Sequence, residues 1–506
     1  MAISKMKENL NLYNATVTLS DTLKVECSCE FQTSLSEILS VNSTAILLSD
    51  EIKNGVYKCV GKIIYTVCYK DAENNLQKRE CACEFTGKIL NDELHDGNLA
   101  KTRLEILRTE VCENGNKYSL TSTVFVSSEI YAQETKTYIL GGENMLVKKE
   151  PAEFTYSLGV KNCTLPIMEE FEINYPVSEV LFHKEELIVT GVQCGLGNLI
   201  IDGDLLFSIF LLQNGKSNDI VKETKIIPVR LETEYDSADP TSLAKATCYI
   251  KDAHLAVTSY EDSFKSVIKA DLTARIVCEA FKTNETEIVV DAFSKTDDFT
   301  LEKTEIKMRA PAGRYSTDAK FCERVFTPET VEVGAKILAV NADCVKIVTQ
   351  NLLDGVLTLE LVVRATAFIK NTDGAIYSSK YEFPVTIKEQ VNINDDNIFM
   401  DLTATVSEIY LRLITLNEAD AYGTIKISAE FDTKKSVLVA FDTTVIGEKK
   451  PNDSAYSVFL ALKGEDLWDL SKRLNLSPSE VETQNPDLTF PLNGDEQIII
   501  FRRRTK

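Results

Sequence analysis

The side chains with the greatest chemical reactivity in this sequence are cysteines, which occur in two closely spaced pairs. One residue separates Cys27 from Cys29, and one separates Cys81 from Cys83. Zinc sites are usually built from thiolates with about two to four residues between them, whereas a one-residue gap puts both thiols on the same face of a strand. Thiols behave there as small apolar groups. The spacing therefore favours packing in a core, with metal binding or redox chemistry as the less favoured alternative.

Groups for nucleophilic or acid–base catalysis are scarce. The three histidines, His95, His183 and His254, are far apart in the sequence, and a catalytic serine or cysteine needs a base beside it. The sequence has no Gly-x-Ser-x-Gly motif, no glycine-rich phosphate loop and no His-Glu-x-x-His motif. Adjacent acids such as Asp297 and Asp298 lie in polar stretches that are typical of solvated loops. We therefore predict no enzymatic activity, no bound metal and no cofactor.

The composition is that of a large, acidic globular protein. Of the 506 residues, 44% are apolar, which is enough to bury substantial cores. The length suggests about three or four domains. Asp and Glu number 77 against 55 Lys and Arg, which gives a formal charge of −22. Because this charge repels phosphate groups and anionic lipid, we do not expect the protein to bind nucleic acid or a membrane surface.

No segment of the sequence has the pattern of a secretion signal or a membrane helix. Residues 1–19 lack a continuous apolar core. The longest apolar run, residues 205–212, is far shorter than the ~20 residues that cross a bilayer. The 13 cysteines are an odd number, which argues against a disulfide framework. These features predict a cytoplasmic protein with reduced thiols and no membrane insertion.

The dominant sequence period is two, which is the period of a β-strand. Apolar and polar residues alternate over residues 25–31, 57–69 and 425–431. Turn signals such as Asn54-Gly55 separate stretches of this kind. The alternation predicts antiparallel sheets that each keep one face in water.

The β-rich part of the chain contains a weak internal repeat. Gly55, Gly197 and Gly355 each precede a strand pattern that is followed by a polar turn and a returning strand. Each glycine also follows a short apolar pair, and the pairs are Ile38-Leu39, Val180-Leu181 and Ile337-Leu338. Chance similarity between three ordinary hairpins is the alternative interpretation. The repeat predicts a mainly β fold with three antiparallel β-sandwich-like units, at residues 1–150, 151–315 and 316–447.

A different pattern begins after the third unit. Residues 448–454 form a polar linker, and residues 455–502 then have the pattern strand, helix, helix, strand. At the start of the second helix, Ser477 suits the N-cap position and Pro478 the first helical position. Glu480 completes a capping box. The sequence therefore predicts a small βααβ domain that follows the three β units.

Two features of this C-terminal segment could contact a partner. Trp468, the single tryptophan, lies at the edge of the apolar stripe of the first predicted helix. It can close a small core or stand half-exposed as a contact anchor, and the sequence leaves both roles open. Arg502–Arg504 is most often a solubilising run, and the alternative is that it steers an acidic partner.

The C-terminal segment resembles a LysM domain. The matching features are Tyr456-Ser-Val458, Gly464-Glu465-Asp466-Leu467-Trp468, Asn485-Pro486, Asn493-Gly494-Asp495-Glu496-Gln497 and Ile498–Phe501. The resemblance implies a contact site, for a protein partner or a glycan, in two loops and the first helix. Its implied residues are Leu462, Lys463, Gly464, Glu465, Asp466, Leu467, Trp468, Asn485, Pro486, Asn493 and Gly494. Asp466 stands where the family has a turn hydroxyl and Phe501 where it has a proline. Both changes favour a protein over a glycan.

The three β units followed by a LysM-like segment resemble the SPOCS-domain proteins of endospore formers. The β part of the resemblance depends on the pairs Ile38-Leu39 and Val180-Leu181, on Gly61 within its strand, and on Glu84-Phe85. The resemblance implies a non-enzymatic scaffold of spore coat morphogenesis, in the mother-cell cytoplasm at the forespore surface. The implied partners are a SpoIVA-like coat ATPase, bound through the LysM-like segment, and other coat proteins. The alternative function is that of a LysM protein that binds peptidoglycan, an N-acetylglucosamine glycan. A LysM-bearing hydrolase is a third possible function.

Overall fold

The computed structural model describes residues 4–31, 35–114, 117–214, 219–259, 265–327, 331–393, 398–450 and 454–501. Twenty strands and two short helices occupy these residues. The predicted mainly β class is confirmed. Within the described ranges, neither helix has the length and apolar character to cross a membrane. The arginine run at 502–504 and residues 451–453 of the predicted linker lie outside the described residues.

Eighteen of the strands follow one another in three sets of six. The first set comprises β1 (Ser4–Cys29), β2 (Leu35–Lys53), β3 (Val56–Asp71), β4 (Leu76–Leu90), β5 (Leu99–Asn114) and β6 (Lys117–Glu143). The second comprises β7 (Leu146–Ile173), β8 (Val177–Cys194), β9 (Asn198–Gln213), β10 (Ile220–Glu234), β11 (Leu243–Ser259) and β12 (Ser266–Phe293). The third comprises β13 (Asp297–Phe326), β14 (Lys336–Leu353), β15 (Val356–Lys370), β16 (Ile376–Gln390), β17 (Ile398–Leu413) and β18 (Glu418–Glu448). In every set, strands two to four form one sheet, and strands one, six and five form the other with the sixth strand central.

The two sheets of a set enclose a core, as the first set illustrates. Along β3 every second residue is buried, which explains why this alternating sequence forms a strand with one face inward. Tyr57 and Tyr65 bury their rings in this core. Their hydroxyls hydrogen-bond to Thr102 at 2.7 Å and Ser122 at 2.9 Å, which belong to the facing sheet. Apolar packing and buried hydrogen bonds together fix the distance between the sheets.

The three glycines that revealed the internal pattern occupy corresponding places. Gly55, Gly197 and Gly355 have φ values of 74°, 78° and 73° and stand immediately before β3, β9 and β15. Asn54 and Asp354 also have positive φ, 51° in both cases. Two successive positive φ values produce a tight two-residue turn, whose twist suits antiparallel strands. Glycine is favoured there because it has no Cβ to clash with the backbone.

The apolar pairs upstream of these glycines form β-bulges. The register shifts between Ile38 and Ser40, so Leu39 has no partner on β3. Leu181 and Leu338 are skipped in the same way, at the corresponding positions of β8 and β14. A bulge bends its strand and re-aims the extra side chain. The three extra leucines therefore leave the regular alternation of their sheets.

The bulge leucines join an apolar cluster that all three sets share. Its buried members are Leu39, Cys68, Leu181, Phe182, Phe210, Ile220, Ala339, Phe368 and Ile376, with Leu338 packed against them. Phe210 stacks on Phe182 with ring centroids 4.1 Å apart, and Phe368 lies 6.0 Å from Phe210. The sets are thus joined by a common core.

The first and sixth strands of each set continue beyond the sandwich as a two-stranded ribbon. The three ribbons pack on one another through a second shared cluster. Its buried members are Leu12, Tyr138, Phe154, Ile288, Ile306, Met308 and Val439. This shared cluster stabilises the parts of the first and sixth strands that extend beyond each sandwich.

The unit boundaries predicted at 150/151 and 315/316 fall inside β7 and β13. In the structure, the chain passes from one set to the next at residues 144–145 and 294–296. The difference has a simple cause. Each long strand serves the ribbon first and the sandwich afterwards, and its period of two does not change between them.

The C-terminal segment has the order strand, helix, helix, strand. Its elements are β19 (Tyr456–Ala461), α1 (Leu467–Leu474), α2 (Pro478–Gln484) and β20 (Glu496–Phe501), and the two strands pair antiparallel. The predicted capping box is confirmed, because Ser477 accepts from the Glu480 backbone while the Glu480 side chain accepts from the Ser477 backbone. The small core contains Ala461, Leu470, Leu474, Leu476, Val481, Leu492, Ile498 and Ile500.

Candidate functional site

The turn into α1 brings the two predicted contact loops together. Gly464 adopts a φ of +86°, which lets the chain reverse after β19. Its N–H donates to the carbonyl of Leu492 at 2.8 Å, and the Leu492 N–H donates to the carbonyl of Glu465 at 3.1 Å. These bonds hold the first loop against the second. The predicted site residues that they bring together are Lys463, Gly464, Glu465, Asn493 and Gly494.

The acidic residues of the first loop already have partners within the chain. The Asp466 carboxylate accepts from the Asp469 N–H at 2.7 Å and caps α1. This backbone bond, together with the Lys148 ammonium 3.3 Å away, holds the pKa of Asp466 below its usual value. Glu465 accepts from the Leu462 N–H at 3.1 Å and from Arg473 at 2.9 Å. Both carboxylates therefore stabilise the loop.

Asn485 and Pro486, also predicted contact residues, lie at the end of α2. The Asn485 side-chain amide donates to the carbonyl of Ile499 at 3.1 Å and accepts from the Ile499 N–H at 3.0 Å. The same amide donates to the carbonyl of Val481 at 3.1 Å. Asn485 thus ties α2 to β20, while Pro486 is exposed beside it. The side-chain amide of Asn485 therefore makes its hydrogen bonds within the C-terminal segment.

Trp468 is the centre of the contact between the C-terminal segment and the rest of the chain. Only 9% of its surface is exposed. Its ring meets the edge of Phe293 with centroids 5.1 Å apart, and its Nε1–H donates to Asp291 Oδ2 at 2.8 Å. Both partners belong to the end of β12. Trp468 is therefore buried and also an anchor, and the surface that it contacts here is the protein's own.

Polar contacts surround the Trp468 ring. The ion pairs are Lys472 with Asp291, Lys148 with Asp466 and Lys295 with Glu480. The Lys472 ammonium lies 2.8 Å from each carboxylate oxygen of Asp291. The Asn475 amide, at the end of α1, donates to the backbone carbonyl of Lys295 at 2.7 Å. We call these interactions, with Trp468 at their centre, the docking contact.

Asp291 is the electrostatic centre of the docking contact. Burial raises the pKa of this carboxyl, but hydrogen bonds from Lys472 and Trp468 outweigh burial and leave the pKa below its usual value. Asp291 is therefore charged at neutral pH. Both donors therefore hold this charged carboxylate against the C-terminal segment.

Local sequence patterns do not point to the β12 side of this contact. Asp291 and Trp468 are separated by 177 residues, and β12 alternates like the other strands. The available signal is Phe293, an aromatic residue at the last position of a strand, immediately before a polar turn. Such a position is usually polar, so a buried aromatic there indicates that another element covers it.

The outer face of the β19–β20 sheet is apolar and open. Tyr456, Val458, Leu460 and Phe501 are each at least half exposed. The opposite face, which includes the buried Ile498, packs on the helices. The Tyr456 and Phe501 rings lie 5.2 Å apart across the two strands. The segment thus presents exposed apolar surface on the side away from its own core.

A cavity of about 1220 Å³ lies where the three sets meet. Its walls come from β2 and β5 of the first set, β8 and β11 of the second, and several strands of the third. Both charge signs line it, for example Arg103, Glu186 and Arg314. Within the described residues, Glu186 Oε2 and Arg314 Nη1 make no hydrogen bond although both are buried. The walls combine these charged groups with apolar side chains such as Leu104 and Ile188.

A layer of charged residues separates this cavity from the ribbons. Its ion pairs are Lys101 with Asp401, Lys245 with Asp432, Arg309 with Glu129 and Arg314 with Glu430. The first three of these join different sets. Burial raises the pKa of Glu279, which lies in the same layer, to about 7. The three sets are therefore joined by ion pairs in this layer. They are also joined by apolar packing in the two shared clusters.

The cysteine pairs lie in the first sandwich. Cys27 and Cys29 are buried in its core, and Cys81 and Cys83 pack against that core. These are the packing positions that the one-residue spacing predicts. In the part of the chain that the structure describes, no group of three or more His, Cys, Asp or Glu side chains has a geometry that could hold a metal ion.

Comparison with known proteins does not identify the chain. No protein-family model matches the sequence, and no curated protein or solved structure matches it either. Function must therefore be inferred from the fold, the docking contact and the exposed surfaces.

Proposed function

We propose that this protein is a non-enzymatic scaffold of endospore coat assembly, similar to SipL. In this proposal the three sets are SPOCS-type repeats and the C-terminal segment is a LysM domain. The shared sheet order of the three sets and the βααβ order of the segment support the proposal. The location that follows is the mother-cell cytoplasm at the forespore surface, where other coat proteins are further partners.

The sets suit a scaffold because they are connected at several levels. Two apolar clusters contain residues from all three sets, and ion pairs cross between the sets in the layer between those clusters. A platform of this kind keeps its faces in fixed relative positions. That property lets one chain hold several partners in register without any chemical step.

The C-terminal segment is proposed to bind a protein, a SpoIVA-like coat ATPase, rather than peptidoglycan. The observation that carries this choice is the chemistry of the first loop. Asp466, paired with Lys148, puts charge where an acetamido sugar would lie in a LysM domain. Leu462, beside it, is 56% exposed and extends the open apolar face of β19. Apolar surface of this kind is typical of the centre of a protein interface.

The test uses the full-length chain with the Leu462→Glu substitution. A charge at an apolar contact should weaken co-purification with the SpoIVA-like ATPase by about tenfold or more, since 1.4 kcal/mol corresponds to a factor of ten. Leu90→Glu is the matched control, because Leu90 is 80% exposed on β4, far from the segment in sequence. Equal binding by wild type and Leu462→Glu would contradict the proposed site.

A sedimentation assay with purified peptidoglycan separates the two candidate functions. Under the proposal the protein stays in the supernatant and binds the ATPase. Sedimentation with peptidoglycan, together with no binding to the ATPase, would make the glycan-binding alternative the correct function.

A further inference from the structure

We propose that the docking contact regulates the partner site, by covering the Trp468 side of the C-terminal segment until a partner displaces β12. This inference rests on the proposed function, because it assigns a regulation to the same contact residues. Docking on β12 and binding of a protein partner through Trp468 would then exclude each other.

The occupied surface coincides with one side of the predicted contact site. Trp468 donates to Asp291 and packs on Phe293, and Asp466 is paired with Lys148. A partner that uses the tryptophan therefore has to replace a hydrogen bond, a ring contact and an ion pair. The exposed residues of the first loop, such as Leu462 and Lys463, remain free for a first encounter.

The composition of the docking contact suits a reversible interaction. It consists of one aromatic contact, the hydrogen bonds donated by Trp468 and Asn475, and three ion pairs whose side chains are between 31% and 44% exposed. Ion pairs of this exposure contribute little each and are weakened by salt. The segment has its own core of eight buried apolar residues, so leaving β12 does not require that core to open.

Population shift gives the expected effect on affinity. If the undocked form alone binds the partner through Trp468, the apparent affinity equals the intrinsic affinity multiplied by the fraction of molecules that are undocked. Weakening the docking contact from the β12 side raises that fraction and leaves the segment unchanged. Asp291→Ala should therefore strengthen partner binding by about fivefold or more, the lower end of typical coupling between two sites.

Trp468 itself reports the docked state, because it is the single tryptophan of the chain. In full-length Asp291→Ala without any partner, tryptophan emission should move to longer wavelength. The acrylamide quenching constant should rise by about twofold or more as the ring leaves its covered position. Asp298→Ala is the matched control, since it removes an exposed carboxylate next to the same turn and should change neither signal.

Lys295→Glu provides a second, milder variant. Lys295 is 40% exposed and pairs with Glu480, which is 43% exposed, so the substitution removes a surface ion pair of the docking contact and no buried group. It should raise quenching in the same direction as Asp291→Ala. Unchanged quenching in both variants would show that there is no docking contact in solution.

The affinity of each variant for the SpoIVA-like ATPase completes the test. Increased quenching with increased affinity supports regulation by docking. Increased quenching with unchanged or reduced affinity overturns it, while loss of binding in Leu462→Glu would still support the proposed function. The two proposals can therefore fail separately.

Discussion

Glu279 shows how a single buried carboxyl sets a pH dependence. Burial raises its pKa from 4.5 to about 7. The Glu279 carboxyl therefore binds its proton more tightly in the folded protein than in the unfolded chain. Its contribution to stability is fully present below pH 4.5 and is lost as the pH rises through about 7. Glu279→Gln should therefore increase the free energy of unfolding at pH 8 by about 1–2 kcal/mol, after allowance for partial solvent screening.

The measurement is urea unfolding followed by circular dichroism at pH 5 and pH 8. The gain from Glu279→Gln should be smaller at pH 5, where the native carboxyl is already protonated. Glu26→Gln, at an exposed position, should change stability little at either pH. A larger gain at pH 5 than at pH 8 would contradict the role assigned to burial.

Thiol accessibility is a second property of individual residues. All 13 cysteines are free, and among them Cys112 and Cys322 are exposed. In the native protein a thiol reagent should therefore modify these two first, and the denatured protein should titrate 13 thiols. Replacing Cys112 and Cys322 with serine should remove the fast phase. Fewer than 13 thiols after anaerobic preparation would show that some of them are covalently paired.

At the scale of secondary structure, substituting Phe210 tests whether the apolar cluster around the bulge leucines stabilises the fold. Its ring stacks on Phe182 and lies near Phe368, so it contacts side chains of the second and third sets. Phe210→Ala should reduce the free energy of unfolding by about 3–5 kcal/mol, the usual effect of a cavity left by a core phenylalanine. Phe326→Ala is the control, because Phe326 is 74% exposed. Similar effects of the two substitutions would contradict a shared core.

The elements also show which parts of the structure the sequence determines locally. The alternation along β3 and the capping box at Ser477 depend on neighbouring residues, and both were predictable. The pair Ile38-Leu39 was visible as a pattern, but its role depends on residues of the other sets. The same holds for Trp468, whose partner Asp291 lies 177 residues away. Such contacts leave no periodic signal in either strand.

Over the whole molecule, the three sets contact one another in a closed order. β4 of the first set meets β8 of the second, β10 meets β14 of the third, and β16 returns to β2. Ion pairs follow the same order, with Arg275 to Asp50, Lys426 to Asp204 and Lys101 to Asp401. A closed arrangement means that the loss of one junction affects the other two. We therefore expect the three sets to unfold together.

The Lys101–Asp401 pair allows this cooperativity to be measured. The two side chains, 3.3 Å apart, join the first and third sets. Burial raises the pKa of Asp401, but Lys101 and Arg103 outweigh it and keep the carboxyl charged. The Asp401 side chain is 44% exposed, so Lys101→Asp, which removes its partner and adds a second negative charge beside it, should reduce the free energy of unfolding by about 1–2 kcal/mol. The exposed Lys346→Asp should change it by about 0.5 kcal/mol or less.

The doubly substituted chain, Lys101→Asp with Asp401→Lys, should recover part of the loss, because the pair is restored with reversed charges. Its unfolding should be followed with circular dichroism for the sheets and with Trp468 emission for the C-terminal segment. Coincident transitions for Lys101→Asp would show that a defect between the first and third sets is felt by the whole molecule. An early loss confined to part of the dichroism signal, with the rest unchanged, would instead show that the sets unfold independently. The closed order of contacts would then contribute shape to the scaffold without cooperativity.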